Sequence, residues 1–153
     1  MPQIEMLTVA NHAEAINGLL YLTGAGWTDL RRPVGPAGQI PLNHIGIGLS
    51  ILVSWNETNQ KHRVILRIED ADGKSLVNVE GEIEMGRPAG LPPGSDLRGV
   101  MAINGEVLFQ AAGVYRVVAA VGQNMRSVTF RVHDATMPHL QPPSQPPPAS
   151  TQS

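Results

Sequence analysis

A strict two-residue alternation over residues 44–55 constrains this chain more than any other feature. One face of the run carries six large apolar residues: Ile45, Ile47, Leu49, Ile51, Val53 and Trp55. Only a β-strand separates these residues from their neighbours, because the 3.6-residue period of a helix would mix the two sets. The other face includes Gly46 and Gly48, which indicate a bend or the close approach of another backbone. The run therefore predicts a core strand.

Two further alternating runs, residues 113–121 and 125–133, are joined by a short link of Gly122, Gln123 and Asn124. This arrangement is typical of a β-hairpin. The first run opens with Gly113-x-Tyr115, a pattern typical of the tyrosine corner, in which a buried ring sends its hydroxyl back to the backbone. A hairpin alone is not stable in water, so the rest of the chain must supply an opposing apolar face.

Shorter apolar runs predict the remaining strands: residues 4–9, 19–24, 62–70 and 77–85, and residues 97–104 with 107–110 as one interrupted strand or two. Residues 11–18 are expected to form a loop with at most one helical turn, ending in the Asn17-Gly18 turn pair. Residues 31–38 are expected to form a loop, because two prolines and two glycines disrupt a strand ladder. Residues 70–73 predict a hairpin turn in which Gly73 adopts a positive φ.

Abundant glycine and proline with few aromatic residues favour a β protein with many turns. We expect residues 1–134 to form an antiparallel β-sandwich of about seven to nine strands, immunoglobulin-like or a close variant. A small open barrel is the alternative. Residues 135–153 are dominated by Pro, Gln and Ser and are expected to be a disordered tail, because such a sequence buries too little apolar area to offset ordering.

The composition argues against several classes of protein. Cysteine is absent, which excludes disulfides, thiolate metal sites and a catalytic cysteine, and fits a cytoplasmic location. The N-terminus is a poor signal peptide, and the longest apolar stretch, residues 45–55, is too short to span a membrane. The formal net charge is −2 and no basic block is longer than Arg31-Arg32, so we expect neither nucleic acid nor a membrane as partner.

The segment Gly86-Arg-Pro-Ala-Gly-Leu-Pro-Pro-Gly94, with the later Gly113-x-Tyr115, resembles a family of small bacterial proteins known only as a domain of unknown function. The stretch 54–63 and the Asp70-x-Asp-Gly73 turn also resemble that family, so that the resemblance covers residues 4–133. It implies an all-β sandwich. It implies no activity and assigns no site residue.

Residues with catalytic or metal-binding chemistry are few. Among the five histidines none forms a metal-binding motif, although the fold could bring His44, His62 and His133 together at strand ends. We expect strand-end histidines, no catalytic constellation, no cofactor and no tightly bound divalent metal. Asp70 and Asp72 start like a calcium loop but lack the distal glutamate, so a plain turn is favoured.

Two other polar segments have a structural and a functional interpretation. Glutamates 80, 82 and 84 share one strand face, which favours a solvated face over paired-carboxylate catalysis. The proline-rich loop 86–94 is either a rigid connection, which is favoured, or an exposed loop that docks a partner at low entropic cost. Its candidate binding residues are Arg87, Pro88, Leu91, Pro92 and Pro93. The pattern Pro143-Ser-Gln-Pro146 in the tail favours a linker over a polyproline ligand.

These observations predict a non-enzymatic binding or structural module whose partner is another protein or a second copy of the chain. The prediction rests on the lack of a catalytic constellation and on apolar residues, such as Leu52 and Ile65, on outward strand faces. The alternative is a hydrolase or metal-dependent enzyme with a site at one end of the sandwich, built from His44, His62 and Asp70. Convergence of those three side chains would distinguish the two.

Overall fold

The computed structural model describes residues 1–136, which form nine β-strands and a short 3-10 turn. The strands are β1 (Gln3–Ile16), β2 (Leu19–Ala25), β3 (Asp29–Val34), β4 (Asn43–Val53), β5 (Lys61–Asp70), β6 (Ser75–Glu84), β7 (Leu97–Val107), β8 (Gly113–Val121) and β9 (Asn124–Thr136). They build one sheet in the order β2-β1-β4-β7 and another in the order β3-β9-β8-β5-β6. The predicted all-β sandwich is confirmed. Of the predicted tail 135–153, residues 135 and 136 belong to β9 because they pair with β3, and residues from 137 onward lie outside the described residues.

The core lies between the two sheets, and β4 supplies its centre. Leu49, Ile51 and Val53 are fully buried, as the alternation predicts. Alternate residues of β5, β8 and β9 face them from the other sheet: Val64, Leu66, Ile68, Val117, Ala119, Val121, Phe130 and Val132. The prediction is wrong only at Trp55, because β4 ends at Val53 and Trp55 begins the 3-10 turn, where it is half-buried.

The predicted tyrosine corner is present at the start of β8. The Tyr115 hydroxyl donates to the carbonyl of Ala111 at 2.6 Å, and the ring is buried against Phe109 and Phe130. The predicted turns are also confirmed: Asn17 and Gly18 both adopt positive φ, and Gly73 does so at the β5–β6 turn. The loop 86–94 contains no strand, as its prolines require.

Two predicted loops are strands. β1 continues through residues 11–16, because this segment leaves β4 and pairs with β2 instead. Residues 29–34 form β3, which runs parallel to β9 at the edge of the second sheet. Proline is tolerated at such an edge because the missing N–H need not join a second ladder. Of the run predicted over residues 97–110, residues 97–107 form one uninterrupted strand, β7, and residues 108–110 are not part of a strand.

Candidate functional site

Residues 10–25, here called the arm, form a hairpin that folds over the outer face of β4. β1 pairs with β4 up to Ala10 and Gly46, and with β2 from Ala10 and Ala25 onward. The strand therefore changes partners at Ala10. Beyond that point the inner face of the arm packs against the side of β4 that does not face the core.

The two glycines of β4 make room for the arm. A Cβ atom at Gly46 would lie 2.8 Å from the backbone nitrogen of Ala13, and one at Gly48 would lie 2.7 Å from a methyl group of Leu22. Both distances are shorter than van der Waals contact allows. The close approach of another backbone, which the sequence predicts as one of two explanations for these glycines, is confirmed at Gly46, whereas at Gly48 the close neighbours are leucine side chains.

An asparagine of β7 holds the arm in place. The Asn104 side chain donates to the Ala13 carbonyl at 2.7 Å and accepts from the Ala13 amide at 3.0 Å. Ala13 is buried, so water does not reach its backbone N–H and C=O groups. Asn104 supplies the hydrogen bonds that they would otherwise lack. One side-chain amide thus continues the strand ladder from β7 to the arm.

The outer face of the arm exposes three large apolar side chains beside the polar residues His12, Glu14 and Thr23. Ile16, Leu19 and Tyr21, here called the outer patch, are 48%, 59% and 53% exposed. They lie on one face because Ile16 pairs with Leu19 and Tyr21 is two residues further along β2. The fold therefore fixes the inner face of the arm with specific contacts while leaving three large apolar side chains in solvent.

The described strands leave four sheet edges, and β2 differs from the other three. β3, β6, and β7 carry charged residues or proline: Asp29, Arg31, Arg32 and Pro33 on β3; Glu80, Glu82 and Glu84 on β6; Arg98 and Glu106 on β7. Such residues discourage the pairing of an exposed edge with another chain. The sequence of β2, Leu-Leu-Tyr-Leu-Thr-Gly-Ala, contains none of them. Among the edges of residues 1–136, β2 alone lacks this protection.

The residues of the alternative enzyme site do not converge. His62 and Asp70 lie at opposite ends of β5, about 26 Å apart at a strand rise of about 3.3 Å per residue. His62 contacts the Glu57 carbonyl at 2.8 Å, and His133 contacts Asp29 at 2.6 Å on the β3–β9 side. The hypothesis of one site built from His44, His62 and Asp70 is therefore wrong.

A cleft of ≈ 440 Å³ lies at the end of the sandwich that contains Asp70. Two of its polar side chains serve the fold: the Asp70 carboxylate accepts from the amides of Asp72 and Lys74, both at 2.9 Å, and the Ser75 hydroxyl donates to the Val77 carbonyl. Asp70 thus forms the plain turn that the sequence favours. Within residues 1–136, no three His, Asp or Glu side chains are arranged to hold a metal ion.

The proline-rich loop is fixed to the opposite end of the sandwich through Arg87. Its guanidinium group donates to the Thr58 hydroxyl at 2.6 Å and to the Trp55 carbonyl at 2.8 Å, and it stacks 4.2 Å from the centre of the Trp55 ring. Three prolines, Pro88, Pro92 and Pro93, are exposed, and Leu91 is half-buried. These contacts fit a rigid connection, and docking of a partner there stays a prediction.

Hydrogen bonds between charged side chains stabilise the edge formed by β3 and β9. Arg32 is buried, and it donates to the Asp134 carboxylate and to the Phe109 carbonyl, each at 2.5 Å. The hydrogen bond from Arg32 holds the pKa of Asp134 below its usual range. On the same edge, a hydrogen bond from His133 lowers the pKa of Asp29. Both carboxylates are therefore kept charged. The β3 edge thus differs in charge from the β2 edge, which carries none.

Comparison with known proteins places the chain in a family without assigning it a function. No curated protein matches the sequence. No helix within residues 1–136 is long and apolar enough to cross a membrane. One family model, described as a family of unknown function (DUF6941), matches residues 5–133. That range includes all of the arm and nearly all of both sheets. The chain therefore belongs to the family of unknown function DUF6941.

Proposed function

We propose that this protein is a non-enzymatic binding module whose partner is a second copy of itself, joined through the edge of β2. The observation that carries the proposal is the contrast among the sheet edges. β2 offers an uncharged, proline-free edge with exposed apolar side chains, and an edge of this kind is an association site.

Strand addition would satisfy groups that β2 leaves free. β2 pairs with β1 on one side, so its backbone N–H and C=O groups on the other side have no strand partner in the sheet. A second β2 strand running antiparallel would pair with them and extend the sheet across both copies. Such a contact is symmetric, with the same surface used on each copy, as in most protein dimers.

The outer patch supplies the apolar part of this interface. Leu19 and Tyr21 both belong to β2. Antiparallel pairing of two β2 strands would bring this pair of residues beside the same pair in the second copy, with Leu19 of one copy near Tyr21 of the other. The arm already packs closely on β4 at Gly46 and is hydrogen-bonded to Asn104, so little conformational freedom would be lost on binding. The interface would therefore form from a surface that is already ordered.

The finer assignment of the fold also belongs to this proposal. The order β9-β8-β5-β6 matches the G-F-C-C′ order of immunoglobulin variable domains, and Tyr115 lies near the start of the next-to-last strand, as a tyrosine corner does. These features support an immunoglobulin-like sandwich, a fold common in binding modules.

A cytoplasmic location is part of the same proposal and is supported by the absence of cysteine from the sequence.

Sedimentation velocity over a range of concentrations tests the proposal. The parent chain should show a reversible dimer, and Tyr21→Lys should remain a monomer because it places a charge on the edge. Met125→Lys is the matched control, since Met125 is an apolar residue on β9 with 63% exposure. It should dimerise like the parent.

A parent chain that stays monomeric at every concentration would overturn self-association. Equal dimerisation of the parent and Tyr21→Lys would place the interface elsewhere. At concentrations where every chain is monomeric, thermal unfolding of both lysine variants should match the parent, since each replaced side chain is more than half exposed.

A further inference from the structure

Four side chains form a hydrogen-bonded row where the arm meets the sheet. Glu14 and His12 belong to the arm, His44 lies near the start of β4, and Glu106 lies near the end of β7. His12 Nδ1 lies 3.4 Å from His44 Nε2. The outer nitrogens face the carboxylates, with His12 Nε2 at 3.3 Å from Glu14 and His44 Nδ1 at 2.8 Å from Glu106.

Two neutral histidine rings supply one proton too few for the hydrogen bonds of this row, and a cation between the rings can take the place of the missing proton. Four ring nitrogens make three hydrogen bonds, so three N–H protons complete the row. Two neutral rings carry only two, and one bond is then left unmade. When the outer nitrogens donate to the carboxylates, both inner nitrogens present lone pairs to each other. A cation between the rings would then accept both lone pairs.

We propose that His12 and His44 bind a divalent transition-metal ion, such as zinc, through His12 Nδ1 and His44 Nε2. A tetrahedral zinc ion with nitrogens at about 2.0–2.1 Å holds two of them roughly 3.3–3.4 Å apart. The observed separation is 3.4 Å. The rings meet nearly in line, with centroids 5.7 Å apart and planes inclined by 21°. Each exposed ring would have to turn by about 35° for its lone pair to face an ion at that bond length.

The carboxylates complete the site from outside. Metal-bound histidines usually donate their second N–H to a carboxylate, which fixes the tautomer and the ring orientation. Glu14 and Glu106 are already at those positions. Imidazole is a preferred ligand of zinc, nickel and copper, whereas magnesium prefers oxygen.

The site is an exchangeable one. Two protein ligands leave the remaining positions to water, so the ion would be lost during purification, in agreement with the expectation of no tightly bound metal. The inference goes beyond self-association. The two histidines belong to neither β2 nor the outer patch, although Glu14 lies directly across the arm hairpin from Tyr21. Bound metal would add a link between the arm and the main sheet.

Isothermal titration of the metal-free full chain with zinc chloride tests this inference. Outer carboxylates change metal affinity by about 10–100-fold, so Glu106→Gln should weaken zinc binding by roughly 10-fold, and His12→Gln by more. His133→Gln is the matched control, because His133 is also exposed and bonded to a carboxylate but has no histidine beside it. His139→Gln serves as a second control.

Both controls should bind zinc like the parent, and magnesium chloride should give no heat of binding. The Leu19→Glu variant also places a charge on the β2 edge but lies opposite Ile16 rather than Glu14. It should bind zinc normally, so the test does not depend on self-association. The inference is wrong if the parent shows no saturable zinc binding, if His12→Gln binds as well as the parent, or if either control loses binding equally. Circular dichroism of each metal-free variant shows whether it has folded.

Discussion

The two sheets end in opposite ways at β2 and β6. β6 carries Glu80, Glu82 and Glu84 on its solvent face, where two of them pair with Arg63 and Lys61 of β5. β2 carries no charge and exposes Leu19 and Tyr21. Both are edge strands of one protein, so packing of the core does not explain the difference. The contrast supports the proposal that β2 pairs with another chain, whereas the charges of β6 discourage such pairing.

The largest effect is expected in the core, where a change should leave this contrast intact. Leu49 is fully buried at the centre of β4, so Leu49→Ala should lower the free energy of unfolding by about 2–5 kcal/mol. The folded fraction should still dimerise, because neither edge is altered. Urea titration measures the first quantity and sedimentation the second. A loss under about 0.5 kcal/mol would mean that the core face of β4 is assigned wrongly.

A smaller effect is expected where the arm meets β4. Gly46→Ala introduces a Cβ against the backbone of Ala13, and overpacking of this kind costs about 1–3 kcal/mol. Displacing the arm should also weaken dimerisation. The matched control is Gly81→Ala on β6, where the nearest atom to a new Cβ is the Met101 methyl at 4.0 Å.

Gly81→Ala should leave both stability and dimerisation close to the parent. Equal effects of the two glycine substitutions, by urea titration and sedimentation, would show that close approach of the arm does not explain Gly46.

A charge placed on each edge compares β2 and β6 directly. Leu19→Glu should abolish dimerisation while changing the free energy of unfolding of the monomer by no more than about 0.5 kcal/mol, since the side chain is exposed. Asn78→Glu, on the exposed face of β6 that carries the glutamates, should leave dimerisation unchanged. If Asn78→Glu disrupts the dimer and Leu19→Glu does not, the two edges have been assigned the wrong roles.

Removing the charges of β6 should have the smallest effect on stability. The triple variant Glu80→Thr, Glu82→Thr, Glu84→Thr breaks only exposed ion pairs, each worth about 0–1 kcal/mol. It should instead create a new, concentration-dependent association, seen by light scattering as species larger than a dimer. A variant that still forms dimers and nothing larger would show that these glutamates do not protect the edge.

The sequence predicts those parts of the fold in which large apolar residues alternate. The run from Ile45 to Val53 identifies β4 and its buried face without help from the structure. The outer half of β1 was missed because small residues, Ala13 and Ala15, lie on its inner face and give no strong alternation. The glycines of β4 indicate a close neighbour, but nothing in the sequence says which segment supplies it, or that Gly46 meets backbone and Gly48 meets side chains.

The candidate site depends on topology that the sequence does not show. The lack of charge in β2 is visible in the sequence, but it has meaning only once β2 is known to lie at an edge. Asn104 meets Ala13 across 91 residues, and His12 meets His44 across 32. Contacts so distant along the chain leave no local pattern. For the same reason, the sequence does not show that His44, His62 and Asp70, which it allows as one site, lie apart in the fold.

Hydrogen–deuterium exchange at low and high protein concentration tests the central claim most directly, because it reads the two edges in the same sample. The account predicts that amides of residues 19–25 exchange more slowly at high concentration, while amides of residues 75–84 exchange at the same rate at both. Concentration-independent exchange over residues 19–25, or slowing confined to residues 75–84, would contradict it.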